Sequence, residues 1–96
     1  MDLGMLRKMQ KLQKEIEAKT EEFNEKEFTL EKHGIEIVAK GSKKIVSIKF
    51  KEVFLLDPED AETTEDLLVL LINQLYEQID EEEKQLMPAM PNGLGF

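Results

Sequence analysis

The regular alternation of hydrophobic and polar residues between residues 33 and 51 predicts two adjacent β-strands. Hydrophobic residues occupy every second position on both sides of a turn: Ile35, Ile37, Ala39, Val46, Ile48 and Phe50. A period of two places these side chains on one buried face of a sheet. Gly34 and Gly41 stand where the chain must reverse, and glycine tolerates the positive φ of tight turns. We expect strands at residues 34–40 and 44–51.

A preceding strand is predicted at residues 27–32, where Phe28 and Leu30 share one face. The three strands then form an antiparallel meander. Because a sheet of this size is only marginally stable alone, helices must cover it.

The first of these helices is predicted at residues 2–26, which contain good helix formers and no proline. Its hydrophobic residues follow a seam with heptad-like spacing: Met5, Met9, Leu12, Ile16 and Phe23. A helix of about 24 residues is about 36 Å long, longer than the sheet. We therefore expect its first half to project and its seam to need a partner, the simplest being a second copy of the chain.

The second helix is predicted at residues 64–86, after a turn or loop at Asp57–Asp60 and with Thr63 or Thr64 as its N-cap. Its hydrophobic residues cover a wide arc: Leu67, Leu68, Leu70, Leu71, Ile72, Leu75 and Ile79. A single sheet face needs only about a third of a helix circumference, so the rest implies a second buried contact. Asn73 lies within the arc and could fix the register of a dimer.

These elements predict an α+β fold, a single α-β-β-β-α domain over residues 1–86 with a three-stranded meander flanked by two long helices. We expect a homodimer with interface residues Met9, Leu12, Leu68, Leu71, Asn73 and Leu75. Residues 87–96 contain two prolines and two glycines and are too short to form a core, so a disordered tail is predicted.

Charge is distributed unevenly along the 96 residues, although the net charge is −8. Residues 1–14 carry four cations and one acid, whereas residues 57–86 carry eleven acids and one lysine. There is no cysteine and no apolar run long enough for a membrane span. We expect a soluble cytoplasmic protein without a membrane partner.

Residues suited to catalysis or metal binding are nearly absent. The only histidine, His33, stands at a turn, without a cysteine or a second histidine to complete a metal site. Asp80–Glu83 occupy consecutive helical positions that point in different directions and cannot surround an ion. We therefore expect no enzymatic activity, no cofactor and no small-molecule substrate.

The basic residues form the one pattern suited to phosphate groups. They lie in the first helix and at the tip between the last two strands: Arg7, Lys8, Lys11, Lys14, Lys43 and Lys44. No aromatic residues are interleaved with them, which argues against a base-stacking platform. On composition alone, an ordinary solvated surface explains these residues equally well.

The order of several weak motifs resembles the YbaB/EbfC family of nucleoid-associated proteins. These motifs are the segment Leu6–Glu15, Gly41 seven residues before Ile48, the triplet Glu65–Leu67, Asn73 and the Met/Pro/Gly-rich end of the chain. The resemblance covers essentially the whole chain. It implies an α-β-β-β-α subunit, a homodimer with projecting helices, and binding to bacterial double-stranded DNA with little sequence preference.

Two features depart from the family pattern. Lys51–Glu52 stands where members usually have Asp-Pro directly after the last strand, and the second helix reads Tyr76-Glu77-Gln78 where it is often basic. We therefore expect the first helix of each subunit to make the main phosphate contacts of a non-enzymatic nucleoid protein. The alternative is an acidic protein-interaction module that has lost DNA binding, which the acidic second half and the adaptable methionines favour.

Overall fold

A computed structural model describes residues 2–86 of the chain, and the statements on structure concern those residues. In chain order the elements are α1 (Leu3–Glu25), β1 (Glu27–Lys32), β2 (Ile35–Lys40), β3 (Ile45–Phe50), two short 3₁₀ turns (Val53–Leu56 and Pro58–Asp60) and α2 (Ala61–Leu86). The predicted α-β-β-β-α order is confirmed. The predicted disorder of residues 87–96 lies outside the described residues.

The three strands form an antiparallel sheet in the order β1-β2-β3. His33 and Gly34 connect β1 to β2 with φ values of 56° and 81°. Positive φ at both central residues is the signature of a two-residue type I′ hairpin turn, whose twist matches that of the flanking strands. Gly34 therefore has the role that the sequence predicts.

Gly41 has a different role from the predicted one, because the positive φ near this second turn belongs to Lys43. Gly41 lies instead against the C-terminal end of α1. A Cβ atom at this position would lie 2.0 Å from the carbonyl oxygen of Phe23. The Gly41 N–H also donates to the carbonyl of Lys26 at 2.9 Å. Glycine is required here for close approach of two backbones rather than for its φ.

The core lies between the sheet and α2. It contains residues from both helices, β1, β2 and the first 3₁₀ turn: Phe23, Phe28, Ile35, Ile37, Ala39, Leu55, Leu71, Leu75 and Ile79. The prediction that Ile35, Ile37 and Ala39 point into the core is confirmed, since none of them has exposed surface.

The same prediction for β3 is wrong, because Val46, Ile48 and Phe50 are exposed in the subunit. The β2–β3 register shifts at Ala39, which pairs with Ile45, so Val46 occupies an irregularity in the ladder. The helix α2 contacts β1 and β2. A helix about 10 Å wide covers about two strands that lie about 4.8 Å apart, so the third strand stays uncovered.

The helix α2 begins at Ala61, three residues before the predicted start. Asp57 accepts a hydrogen bond from the Glu59 N–H at 2.9 Å and orders the 3₁₀ turn that leads directly into the helix. Neither threonine is the N-cap. Thr64 is buried in the first turns of α2, where its hydroxyl donates to the Leu55 carbonyl at 2.6 Å.

The elements are arranged along one axis, and the subunit measures 69 × 22 × 15 Å. The end of α1 contacts the β2–β3 turn, where the Ser42 N–H donates to the Asn24 carbonyl. The first 3₁₀ turn lies at the opposite end of the sheet, beside Gly34 and the β1–β2 turn. Residues 2–15 of α1 are all exposed. The first half of α1 therefore projects from the subunit, as predicted.

Candidate nucleic-acid interface

The projecting half of α1 carries four cations that have no carboxylate partner within residues 2–86. The Asp2 side chain caps this helix by accepting a hydrogen bond from the Gly4 N–H at 3.0 Å. Helical periodicity places Arg7, Lys11 and Lys14 on one face, with Lys8 beside them. All four are exposed, and within residues 2–86 none of them forms a salt bridge. Their charge is available to an external anion.

The opposite face of α1 is hydrophobic and equally open. Met5, Met9 and Leu12 are 61%, 59% and 57% exposed, and Ile16 is half-buried. We call these four residues the α1 stripe. The stripe continues into the core through Phe23, whose ring lies 5.6 Å from that of Phe28. One face of the helix is therefore available to anions, and the other to an apolar partner.

The two predicted cations at the tip between β2 and β3 differ in their ion pairing. The Lys43 ammonium lies 2.7 Å from an Asp80 carboxylate oxygen. This hydrogen bond raises the pKa of Lys43 above its ordinary value. The Tyr76 hydroxyl also donates to the Lys43 carbonyl at 2.9 Å, which ties the tip to α2. Lys44 forms no salt bridge within the described part of the chain, so it is the more available cation of the pair.

Two cations on the sheet, Lys40 and Lys51, are paired with carboxylates, whereas Lys32 and Lys49 form no salt bridge within the described residues. Lys40 donates to Glu25 at 2.8 Å, which raises the pKa of the lysine and lowers the pKa of the glutamate. The Lys51 ammonium lies 2.7 Å from Glu31 and 3.2 Å from Glu36. The sheet therefore presents little uncompensated positive charge at Lys40 and Lys51, in contrast with α1.

A second exposed hydrophobic surface lies at β3 and the first 3₁₀ turn. It consists of Val46, Ile48, Phe50, Val53, Phe54 and Leu56, and we call it the edge surface. Val53 alone is 87% exposed. The backbone of β3 pairs with another strand only on its β2 side. An apolar surface beside an unpaired strand edge is a feature that proteins normally cover.

Sequence reasoning did not single out the edge surface as a site. The sequence feature that indicates this surface is the run of hydrophobic residues Val53–Leu56 directly after the third strand of a meander. Such a run continues past the end of a strand that is already at the sheet edge, and of its four side chains only Leu55 enters the core.

The predicted dimer interface needs a partial correction. Leu71 and Leu75 have no exposed surface, because they pack into the subunit's own core, and a partner cannot reach them. Leu68 is half-buried against the same core, and Asn73 is exposed outside the buried arc of α2. Met9 and Leu12 are exposed on α1, so they stay a prediction together with Leu68 and Asn73.

The described residues hold no group of side chains that could bind a metal ion. Neither helix in that part of the chain has an apolar stretch that could cross a bilayer. A groove of about 420 Å³ lies between the second half of α1 and the end of α2 and is open to solvent. His33 is exposed at the β1–β2 turn.

The fold and the four exposed cations together define a small α+β subunit with a helix whose projecting half is cationic. The chain belongs to the YbaB/EbfC DNA-binding family, whose model matches residues 2–94. It is 43% identical to a nucleoid-associated protein of Mycoplasmopsis pulmonis (strain UAB CTIP), over 93% of this chain and 88% of the relative.

Two further relatives have the same description. A nucleoid-associated protein of Metamycoplasma arthritidis (strain 158L3-1) is 43% identical over 85% of each chain. A nucleoid-associated protein of Streptococcus agalactiae serotype III (strain NEM316) is 38% identical over 97% of this chain and 95% of the relative. No solved structure matches the chain significantly.

Proposed function

We propose that this protein is a homodimeric nucleoid-associated protein that binds double-stranded DNA mainly through phosphate contacts, with little sequence specificity and no enzymatic activity. It would act on the nucleoid, in the cytoplasm. The observation that carries the proposal is the set of four exposed cations without carboxylate partners on the projecting half of α1: Arg7, Lys8, Lys11 and Lys14.

The spacing of these cations suits a duplex. The rise from Arg7 to Lys14 is about 10 Å, and B-DNA carries about six phosphate charges over that length. Each cation can therefore approach a separate phosphate. Long flexible side chains on an exposed helix reach phosphates without a fixed relation to base edges, which supports weak sequence preference.

Self-association would double the number of cations. We propose that the edge surface joins two subunits, because it is hydrophobic, exposed and adjacent to the unpaired edge of β3. A two-fold contact uses the same surface on both copies. The edge surface runs along β3 to the end of the sheet remote from α1 and includes no residue of α1, so such a contact leaves both projecting helices open to DNA.

Salt dependence of DNA binding tests the assignment to α1. Replacing Arg7 and Lys11 by Ala removes four cations per dimer, and the slope of log K against log salt should shrink by about 3 to 4 units if all four contact phosphates. The matched control replaces Lys43 and Lys44 by Ala. Its effect should be smaller, because Lys43 is already neutralised by Asp80.

Fluorescence anisotropy with a random duplex over a salt series measures both double variants. An equal or larger loss of slope from the Lys43 and Lys44 pair would move the site from the helix to the tip and contradict the assignment. Circular dichroism of each variant checks that the subunit stays folded.

A protein-interaction module that has lost DNA binding is the second candidate. The edge surface and the eleven acids in residues 57–86 favour it. A gel-shift titration at about 50 mM salt separates the two, since non-specific binding is strongest at low salt. Reversing charge with Lys11→Glu and Lys14→Glu should abolish a phosphate-driven complex. Binding that ignores this reversal would contradict a complex driven by the α1 cations, and no binding by the wild type would favour the interaction module.

A further inference from the structure

The α1 stripe is a hydrophobic face whose covering is not among residues 2–86. Met5, Met9 and Leu12 lie on the side of the helix away from Arg7, Lys11 and Lys14 and are each more than half exposed. This arrangement separates an apolar face from the proposed phosphate-binding face on one projecting helix.

The stripe leads into the groove between the two helices. The groove has a volume of about 420 Å³, and its lining includes Lys19 and Phe23 of α1 and Glu82, Gln85 and Leu86 of α2. Leu86 is the last residue of α2. The described chain therefore ends beside α1, at a groove whose apolar lining is Phe23 and Leu86.

The path of α2 shows where the described chain ends relative to the α1 stripe. Near its start Thr64 contacts Leu55, at the end of the sheet remote from α1. Tyr76 contacts Lys43 at the β2–β3 tip, and Leu86 reaches the groove beside Lys19. The helix thus runs away from the remote end, past the tip, and along α1 towards the N-terminus of α1. The α1 stripe lies beyond the groove in this direction, nearer the N-terminus of α1.

The length and composition of residues 87–96 match this path. Lys19 and Met5 are separated by about 21 Å along the helix, and ten extended residues span up to about 33 Å. The segment has no charged residue and has hydrophobic residues at four positions: Met87, Met90, Leu94 and Phe96. Unbranched Met side chains fill irregular apolar contacts, and Met5 and Met9 are also methionines.

We propose that residues 87–96 dock on the α1 stripe of the same subunit. The docked segment covers the hydrophobic face of the projecting helix and leaves Arg7, Lys11 and Lys14 free. Removing the segment should therefore expose an apolar face without weakening DNA binding. The proposal concerns an intrachain contact and stands or falls independently of whether the protein binds DNA.

Methionine methyl NMR with a spin label tests the contact directly. The chain has no cysteine, so Leu94→Cys provides one labelling site in a protein with ¹³C-methyl methionine. We expect strong paramagnetic broadening of the Met5 and Met9 methyl signals. The substitution Leu12→Lys, at an exposed position, should reduce this broadening several-fold, whereas the matched substitution Lys11→Ala on the opposite face should leave it unchanged.

Two results would overturn the proposal. The first is that the Met5 and Met9 signals show no broadening, or show the same broadening in the Leu12→Lys variant. Contacts of a freely moving segment would not depend on the hydrophobic residues of the stripe. The second comes from mixing spin-labelled protein without ¹³C with unlabelled ¹³C protein. Because the label and the ¹³C lie on different chains in this mixture, broadening of the Met5 and Met9 signals there would place the segment of a second copy on the stripe and contradict an intrachain contact.

Discussion

The substitution Gly41→Ala should destabilise the subunit strongly, although residue 41 has no positive φ. An added Cβ would lie 2.0 Å from the Phe23 carbonyl oxygen and 2.9 Å from a ring carbon of the same residue. Ordinary van der Waals contact begins near 3.4 Å. The β2–β3 turn and the end of α1 must therefore separate by more than an ångström.

The cost has two parts. Overpacking of a tight contact typically costs about 1 to 3 kcal/mol. Separation also strains the hydrogen bonds from Gly41 to Lys26 and from Ser42 to Asn24, each worth about 1 kcal/mol. We expect a loss of about 2 to 4 kcal/mol, a large fraction of the roughly 5 to 15 kcal/mol that is typical of a whole domain.

Urea denaturation followed by circular dichroism measures this loss, at one fixed subunit concentration because self-association contributes to apparent stability. The control is Gly4→Ala, where the nearest atom to an added Cβ is 3.5 Å away. Alanine is the better helix former by up to about 1 kcal/mol, so this variant should be neutral or more stable. A Gly41→Ala variant within about 0.5 kcal/mol of wild type would refute the close-approach explanation.

Three other perturbations test separate contacts. Thr64→Val keeps the shape but removes the hydrogen bond to a backbone carbonyl, so it should cost about 1 to 3 kcal/mol in urea unfolding, and Thr64→Ser should cost less. Phe54→Asp should leave the subunit folded and weaken self-association in sedimentation, whereas Leu71→Asp should unfold the subunit because it buries a charge. A dimer that dissociates with neither substitution would contradict an interface at the edge surface. The pKa of Glu25 is lowered and the pKa of Lys40 is raised, so the small stabilisation from their ion pair is lost as the pH falls through the pKa of Glu25 or rises through the pKa of Lys40. The free energy of unfolding of Glu25→Gln should therefore differ from that of the wild type at neutral pH and converge with it in acid.

The sequence predicted element types well because the periodicities are local. The strand alternation at Ile35 and Ile37 and the helical spacing of α1 depend only on residues close in sequence. The start of α2 was missed because Asp57 orders a 3₁₀ turn that runs into the helix, and an aspartate can serve either a loop or a cap.

The candidate surfaces were harder to predict because they depend on which elements are adjacent. Periodicity places Phe50 and Ile35 on the same face of the sheet, and the register confirms this pairing. It does not indicate that α2 stops short of β3 and leaves Phe50 exposed. In the same way, a wide apolar arc on α2 predicts burial, but only the packing assigns Leu71 to the subunit core rather than to a partner.

A protein with a negative net charge can still attract DNA when its basic and acidic regions are farther apart than the Debye screening length. The Debye length at physiological salt is about 8 Å, whereas Arg7 lies about 18 Å along α1 from Lys19, where the acidic end of α2 reaches the helix. A phosphate at Arg7 therefore experiences the local cations more than the net charge of −8. We expect the acids of α2 to repel a duplex that approaches the sheet, so that the charge distribution which opposes binding at one end of the subunit favours it at the projecting helix.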